Sequence, residues 1–442
     1  MIGYTLLFVW TAIGVFSLVT NRDIFSPVKM YLFSVFFYFA DIFVIPFDDG
    51  VTCTYCGLLI LGLLLAIQES YLPLYGRARG DRETISVNCL RPIAIMLWLL
   101  SAVPLGAQLL MIKLMGGLEG YVNTLGMRVI EYRGLGPITM IIGVFPVINM
   151  VYFTVGVLSR GAGRGWWLGY CVHASLFILI GLASGSRGAL LNNFVLMLIA
   201  FHYLRRRVPL TGAVVVAAVI LVAASLIGIA RNGYKMGDDG LETGLQNSDQ
   251  ALEQSHFHYG LDPLVLVYSW PPEDLQLGLT FMTVFTNPIP RTLWPGKPDT
   301  GGVVLTKKYT DDAWDGASNL STGLIAESVL NFGWWIGIPF GFLLIWIAMN
   351  HVLAGYNSIM RLSSITGGCE VIQPVLGYLL TMMTVTSLLC GEFTSSVVTA
   401  VVGRLLPLAI IAGLTIRVAR CRSQNYRRSL SPPSKPTTHR PG

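Results

Sequence analysis

Apolar residues along this chain do not alternate with polar ones, nor do they mark one helical face. They run unbroken. Eleven such runs stand at roughly 3–20, 30–47, 54–73, 92–112, 136–158, 166–183, 189–204, 210–230, 323–350, 371–390 and 395–416. Each is long enough, or nearly so, to cross about 30 Å of hydrocarbon at about 1.5 Å per residue; the seventh is the shortest. Inside lipid the backbone must satisfy its own polar groups, which leaves helices or closed barrels. With no period-two alternation, the runs read as helices. The first run lacks a basic leader and a small-residue cleavage site, so it reads as a retained helix. The expected fold class is an all-α polytopic membrane protein with about 11 transmembrane helices and a large, partly helical outer loop. Residues 1–230 carry helices 1–8 with a small outer loop at 113–135. The large outer loop is 231–322, helices 9–11 fill 323–416, and a disordered tail runs over 417–442.

Charge gives the chain a direction. Only 12% of the 442 residues are charged, against roughly 25% in soluble domains. Most of the 30 basic residues fall in alternate loops, with Arg22 and Lys29, then Arg77, Arg79, Arg82 and Arg91, then Arg205, Arg206 and Arg207, and a cluster after Arg417. By the positive-inside bias these loops are cytoplasmic, so the N-terminus is outside and the C-terminus inside. The net charge of +6 then reflects sidedness and not a nucleic-acid partner. Cys53 and Cys56 form a CxxC, a redox spacing that also arises by chance in a chain this long; chance is the preferred reading.

Basic residues on the outer side run against that bias and need a reason. The small outer loop brings Arg128 and Arg133, in RVIEYRG. Arg187 lies in SGSRGALL, where a helix begins, and helix N-termini attract anions. Arg231 opens RNGYK, and Arg291 lies in NPIPRTLWPGKPDTGG, 287–302. There the prolines resist helix formation, Trp294 suits a membrane interface, and Gly301 and Gly302 let the chain turn away. Arg404 sits within the last run, where an ionisable group is costly and suggests function. Planar guanidinium groups from several segments suit phosphate oxygens. Candidate general bases are Glu327, in LIAESVLNFG, His256 and His258, in SHFHYG, Glu392, and Asp311, Asp312 and Asp315. Glu327 is preferred for its place at an outer helix end. No third ligand joins the HxH at a recognisable spacing, so no metal is expected. The chain has no phosphate-binding GxxxxGK[ST] loop and no GxSxG elbow, which argues against ATP-driven work. Half of the 24 acidic residues lie in the large loop. A structureless loop that long is uncommon, so it is expected to be folded, with a helix within 246–270, a break at PPED (271–274), and an apolar stretch, 279–287, lying on the membrane surface.

With SGSRGALL, IARNGYK, NPIPRTLWPGKPDTGG and STGLIAESVLNFGWWIG in this order, the chain resembles the Wzy-type O-antigen (oligosaccharide repeat-unit) polymerases. The resemblance covers roughly 116–340. Arg291 and Gly302, with ten residues between them, match an Arg-x10-Gly pattern of the family's outer loops; the early loop, with Arg128 and Arg133, departs from it. The resemblance implies a GT-C-like, cofactor- and metal-independent glycosyltransferase of the bacterial inner membrane, with a periplasmic N-terminus and cytoplasmic C-terminus. Its substrate would be undecaprenyl-pyrophosphate-linked oligosaccharide, met in membrane lipid, and a polysaccharide chain-length regulator is a possible partner. Arg128, Arg133, Arg187, Arg231, Arg291 and Arg404 would then bind pyrophosphate, and Glu327, His256 or His258 would take the acceptor proton. An O-antigen ligase and a lipid-linked oligosaccharide flippase are the alternative readings.

Overall fold

The computed structural model describes residues 2–72, 85–123, 132, 134–159, 161–183, 187–219, 222, 234–237, 240–243, 260–287, 289, 293–309, 320–365 and 368–430. Eight helical stretches among them are long and apolar enough to cross a membrane: Ile2–Thr20, Asp49–Ser70, Val87–Leu114, Gly136–Leu158, Arg164–Leu182, Gly323–Leu362, Gly368–Ser387 and Phe393–Arg420. Leu190–Leu204 and Leu210–Val219 are shorter apolar helices. The protein is thus an all-α, multi-pass membrane protein. A two-stranded antiparallel hairpin, Tyr234–Gly237 with Gly240–Thr243, is a small addition to it, packed on the short helix Gly117–Asn123.

Two expected spans differ from their apolar runs. The second helix covers only Pro27–Tyr38 before a 3₁₀ turn, Ala40–Phe43. Twelve residues rise about 18 Å, less than the hydrocarbon thickness. The ninth apolar run is not one helix. Gly333, at φ 75° and ψ 170°, breaks it, a conformation open to glycine alone. The arm 323–332 rises to Gly333, and 334–365 doubles back beside it. A Cβ on Gly337 would lie 2.5 Å from Ser328 O, and one on Gly341 3.0 Å from Ile325 Cα. Glycines at 333, 337 and 341 therefore let two backbones touch, as small residues do where membrane helices pack closely. Residues 322–331 are buried without exception.

The large loop folds onto the end of the bundle where this hairpin turns. Its helix Leu261–Tyr268 starts after Gly260, whose N–H donates to Tyr38 O at 2.9 Å, and its last residue, Tyr268, meets Trp334 edge to face. A 3₁₀ turn, Pro272–Asp274, follows, and then the helices Leu279–Thr286 and Gly301–Tyr309. The break at PPED is present, and within the apolar 279–287 stretch Leu279–Thr286 is helical. Cys53 and Cys56 lie in the helix Asp49–Ser70 as free thiols.

Candidate active site

Glu327 stands in the middle of the buried arm and is 0% exposed. Its Oε2 accepts the Phe393 N–H at 2.9 Å and the Thr322 hydroxyl at 3.2 Å. Phe393 begins the helix Phe393–Ala400, so a carboxylate from another element satisfies an N–H that this helix leaves open. Glu392, one residue earlier, does the same elsewhere: its Oε1 accepts the Gly302 N–H at 2.8 Å, at the start of Gly301–Tyr309. Each glutamate thus caps a helix not its own, and the two caps interlock arm, loop and last span.

The double glycine makes this possible. A Cβ on Gly301 would sit 2.9 Å from both Cδ and Oε1 of Glu327, and one on Gly302 would lie 2.6 Å from Leu320 O. These glycines do not turn the chain away, as the sequence suggested; they begin a helix and press it against the carboxylates. Oε1 of Glu327 has no hydrogen-bond partner among the described residues, and Gly301 covers it. Glu392 is half-buried, and among the described residues its one side-chain hydrogen bond is to Gly302.

A polar seam extends from this pair. Asn331 Nδ2 donates to Glu327 O at 2.7 Å and to Thr280 Oγ1 at 2.6 Å, while its Oδ1 accepts the Gly278 N–H. Thr283 and Thr394 hydroxyls meet at 2.6 Å. Lys297 lays its ammonium on the carbonyls of Asn287 and Ile289, just past the C-terminus of Leu279–Thr286, where a cation is favoured. Lys307 pairs with Asp299 at 2.7 Å and Lys308 with Asp274 at 2.8 Å. Thr280, Thr283, Asn331 and Thr394 carried no sequence signal, because isolated Thr and Asn in apolar runs look like ordinary helix residues.

Of the expected arginines, Arg404 is half-buried in a π-helical turn, Val401–Leu405, between Phe393–Ala400 and Leu406–Leu430. Such turns recur at functional sites. Eleven residues separate it from Phe393, about 16 Å along the helix, and among the described residues it has no ion pair with Glu327 or Glu392. Arg187 is the first residue of the helix Arg187–Leu204, where the sequence put a helix start. Arg128, Arg133, Arg231, Arg291, His256, His258, Asp311, Asp312 and Asp315 lie outside the described residues.

Two further buried polar groups went unseen in the sequence. Ser101, Asn149 and His173, all 0% exposed, sit mid-bundle. Ser101 gives its hydroxyl hydrogen to Leu97 O and so accepts from His173 Nε2 at 2.9 Å; Asn149 Nδ2 then donates to Nδ1, and Phe145 stacks on the ring. The spacing is that of a nucleophilic triad, but among the described residues the serine has no free proton acceptor, and it has no exposure, so the group is interhelical glue. At the opposite end from Glu327, Val208 N–H donates to His202 Nδ1 at 3.0 Å, so Nε2 carries the proton given to Asp23 Oδ1 at 3.1 Å. Tyr356 donates to Asp23 Oδ2 at 2.9 Å and the Phe25 N–H to Oδ1 at 3.0 Å. Burial pushes the Asp23 carboxyl up, but His202, the Phe25 N–H and Tyr356 outweigh it and hold the group below its ordinary value. Compared with family models, with curated proteins and with solved structures, the chain matches none.

Proposed function

We propose that this protein polymerises undecaprenyl-pyrophosphate-linked oligosaccharide repeat units into surface polysaccharide at the outer face of a bacterial inner membrane, with its N-terminus periplasmic and its C-terminus cytoplasmic. The observation that carries the reading is the interlocked pair Glu327 and Glu392 beneath Gly301–Tyr309. This helix directly continues the segment that bears Arg291, and Glu392 leads into the helix that reaches Arg404.

In the proposed reaction a hydroxyl of an incoming lipid-linked unit attacks the reducing-end anomeric carbon of the growing chain. A new C–O bond forms, the bond from that carbon to the pyrophosphate oxygen breaks, and lipid pyrophosphate leaves with the electron pair. Arg187, Arg291 and Arg404, supported by Arg128, Arg133 and Arg231, stabilise the charge that develops on it. The sequence favoured Glu327 as the base that takes the hydroxyl proton. The geometry moves our assignment to Glu392, because Glu327 is sealed under Gly301 with Oε2 engaged by two donors, whereas Glu392 is half-exposed with one N–H bond among the described residues. Glu327 then orients the Glu392–Phe393 turn through the Phe393 N–H.

Deletion of the gene, followed by gel analysis of surface glycans, tests the function. The expected result is single repeat units and no ladder. Long chains retained on the lipid carrier would mark a ligase instead, and a normal ladder would end the proposal.

A further inference from the structure

The helix Leu279–Thr286 is inside out. Two of its three threonines, Thr280 and Thr283, are 0% and 1% exposed and the third, Thr286, is partly buried, whereas Leu279, Met282 and Phe285 are 51%, 55% and 73% exposed. In water this arrangement would leave the apolar face uncovered and give the buried one little reason to form. The inward face is held by specific bonds, Thr283 to Thr394 and Asn331 to Thr280. Before the helix, Leu277 takes a left-handed conformation, φ 48°, that few non-glycine residues adopt. Its N–H donates to Asn331 O, that of Gly278 donates to Asn331 Oδ1, and the Leu277 side chain is left 76% exposed. The backbone is fastened so that apolar side chains point outward.

The depth of the helix follows from its partner. Thr394 lies in the first turn of Phe393–Arg420, a stretch apolar and long enough to cross the membrane. A helix hydrogen-bonded to that turn stands beside the start of a span, not above it. On its other flank Phe281 packs with Phe332 and Phe340, and the span beyond Gly333 continues an exposed apolar surface through Ile336, Leu343 and Ile347.

We infer that Leu277, Leu279, Met282 and Phe285 form a docking surface for membrane hydrocarbon, so that this part of the large loop re-enters the leaflet beside the Glu327–Glu392 pair. The loop is then a lipid-side wall of that site, and any lipid-borne ligand meets the wall sideways within the leaflet. The inference stands without the proposed reaction, since it rests on packing and exposure alone.

The full chain in native-lipid membranes, with a benzophenone side chain placed in turn at Met282, Phe285, Ile347 and Glu273, tests it. Ile347 faces outward mid-span and Glu273 is an exposed acid of the preceding turn. After irradiation, mass analysis of peptides from Met282 and Phe285 is expected to show lipid adducts as abundant as those from Ile347, with little at Glu273. A cross-link from Met282 or Phe285 to a second protein, or to another copy of this chain, would overturn the inference. So would adducts no more abundant than at Glu273. Glycan analysis plays no part in the readout, so failure of the polymerase proposal leaves this result unchanged.

Discussion

Two buried carboxylate centres stand at opposite ends of the bundle, and their surroundings differ in kind. Asp23 is closed on every side: both oxygens accept hydrogen bonds, from His202, the Phe25 N–H and Tyr356, and its own N–H donates to Asn21 Oδ1. The Glu327–Glu392 centre is left open. Among the described residues one oxygen of Glu327 is unpartnered, Glu392 is half-exposed, and the lid over them is a glycine helix that owes its close approach to missing side chains. Glu69, bonded to Ser26 beside Asp23, also keeps an Oε1 that is unpartnered among the described residues, so what separates the two ends is access: Asp23 and Glu69 are buried, whereas Glu392 is half-exposed and can meet a substrate. The Asp23 end is accordingly read as structural and the Glu392 end as functional.

Substitutions can break that contrast. In vesicles supplied with lipid-linked repeat units, Glu392→Gln is expected to lower polymer formation by about 10²–10⁴-fold, the usual worth of a general base, with unchanged thermal stability. Glu327→Gln, which keeps an oxygen for the Phe393 N–H, is expected to lose less. If Glu327→Gln is the more damaging, the assignment between the two reverses. At the other end, Asp23→Ala is expected to cost about 3–5 kcal/mol, because His202 and Tyr356 lose their partner inside the protein; thermal unfolding in detergent reads this. Catalysis per folded molecule should hold, and a selective loss of turnover there would undo the comparison.

Smaller effects sharpen it. Gly301→Ala forces a methyl against the Glu327 carboxylate and is expected to cost about 1–3 kcal/mol by overpacking, seen as a lowered melting midpoint; an unchanged midpoint would mean the lid yields freely. Acid should act through Asp23 in a defined direction. Its carboxyl is held below the ordinary value of 3.8, so the folded chain binds fewer protons than the unfolded one in that range. The stabilisation is fully present above about pH 4 and is lost as pH falls through the folded value. Stability measured against pH should lose this component in Asp23→Asn. Thr283→Val, which removes the hydroxyl pair with Thr394, is expected to cost about 1 kcal/mol.

The apolar runs made the class of fold legible, and Arg187 was found at a helix start because Ser-Gly-Ser before an apolar run is a local signal. The break at PPED was equally local. The hairpin at Gly333 was not, since glycine within an apolar run interrupts neither the hydropathy nor the length of a span. Glu327 was noticed because a charge inside such a run is conspicuous. That Gly301 covers it, and that Glu392 lies beside it with fewer bonds, depends on residues far apart in the chain.

The sequence by itself determined that this is an all-α protein of many membrane-crossing helices, because hydrocarbon admits only helices or closed barrels and the apolar runs lack the alternation of barrel strands. Tertiary structure alone decided which polar groups meet. Residues 301, 327 and 392 come together only when a glycine reverses one helix and two others let backbones touch, and contacts of that range leave no periodic mark in the residues that make them.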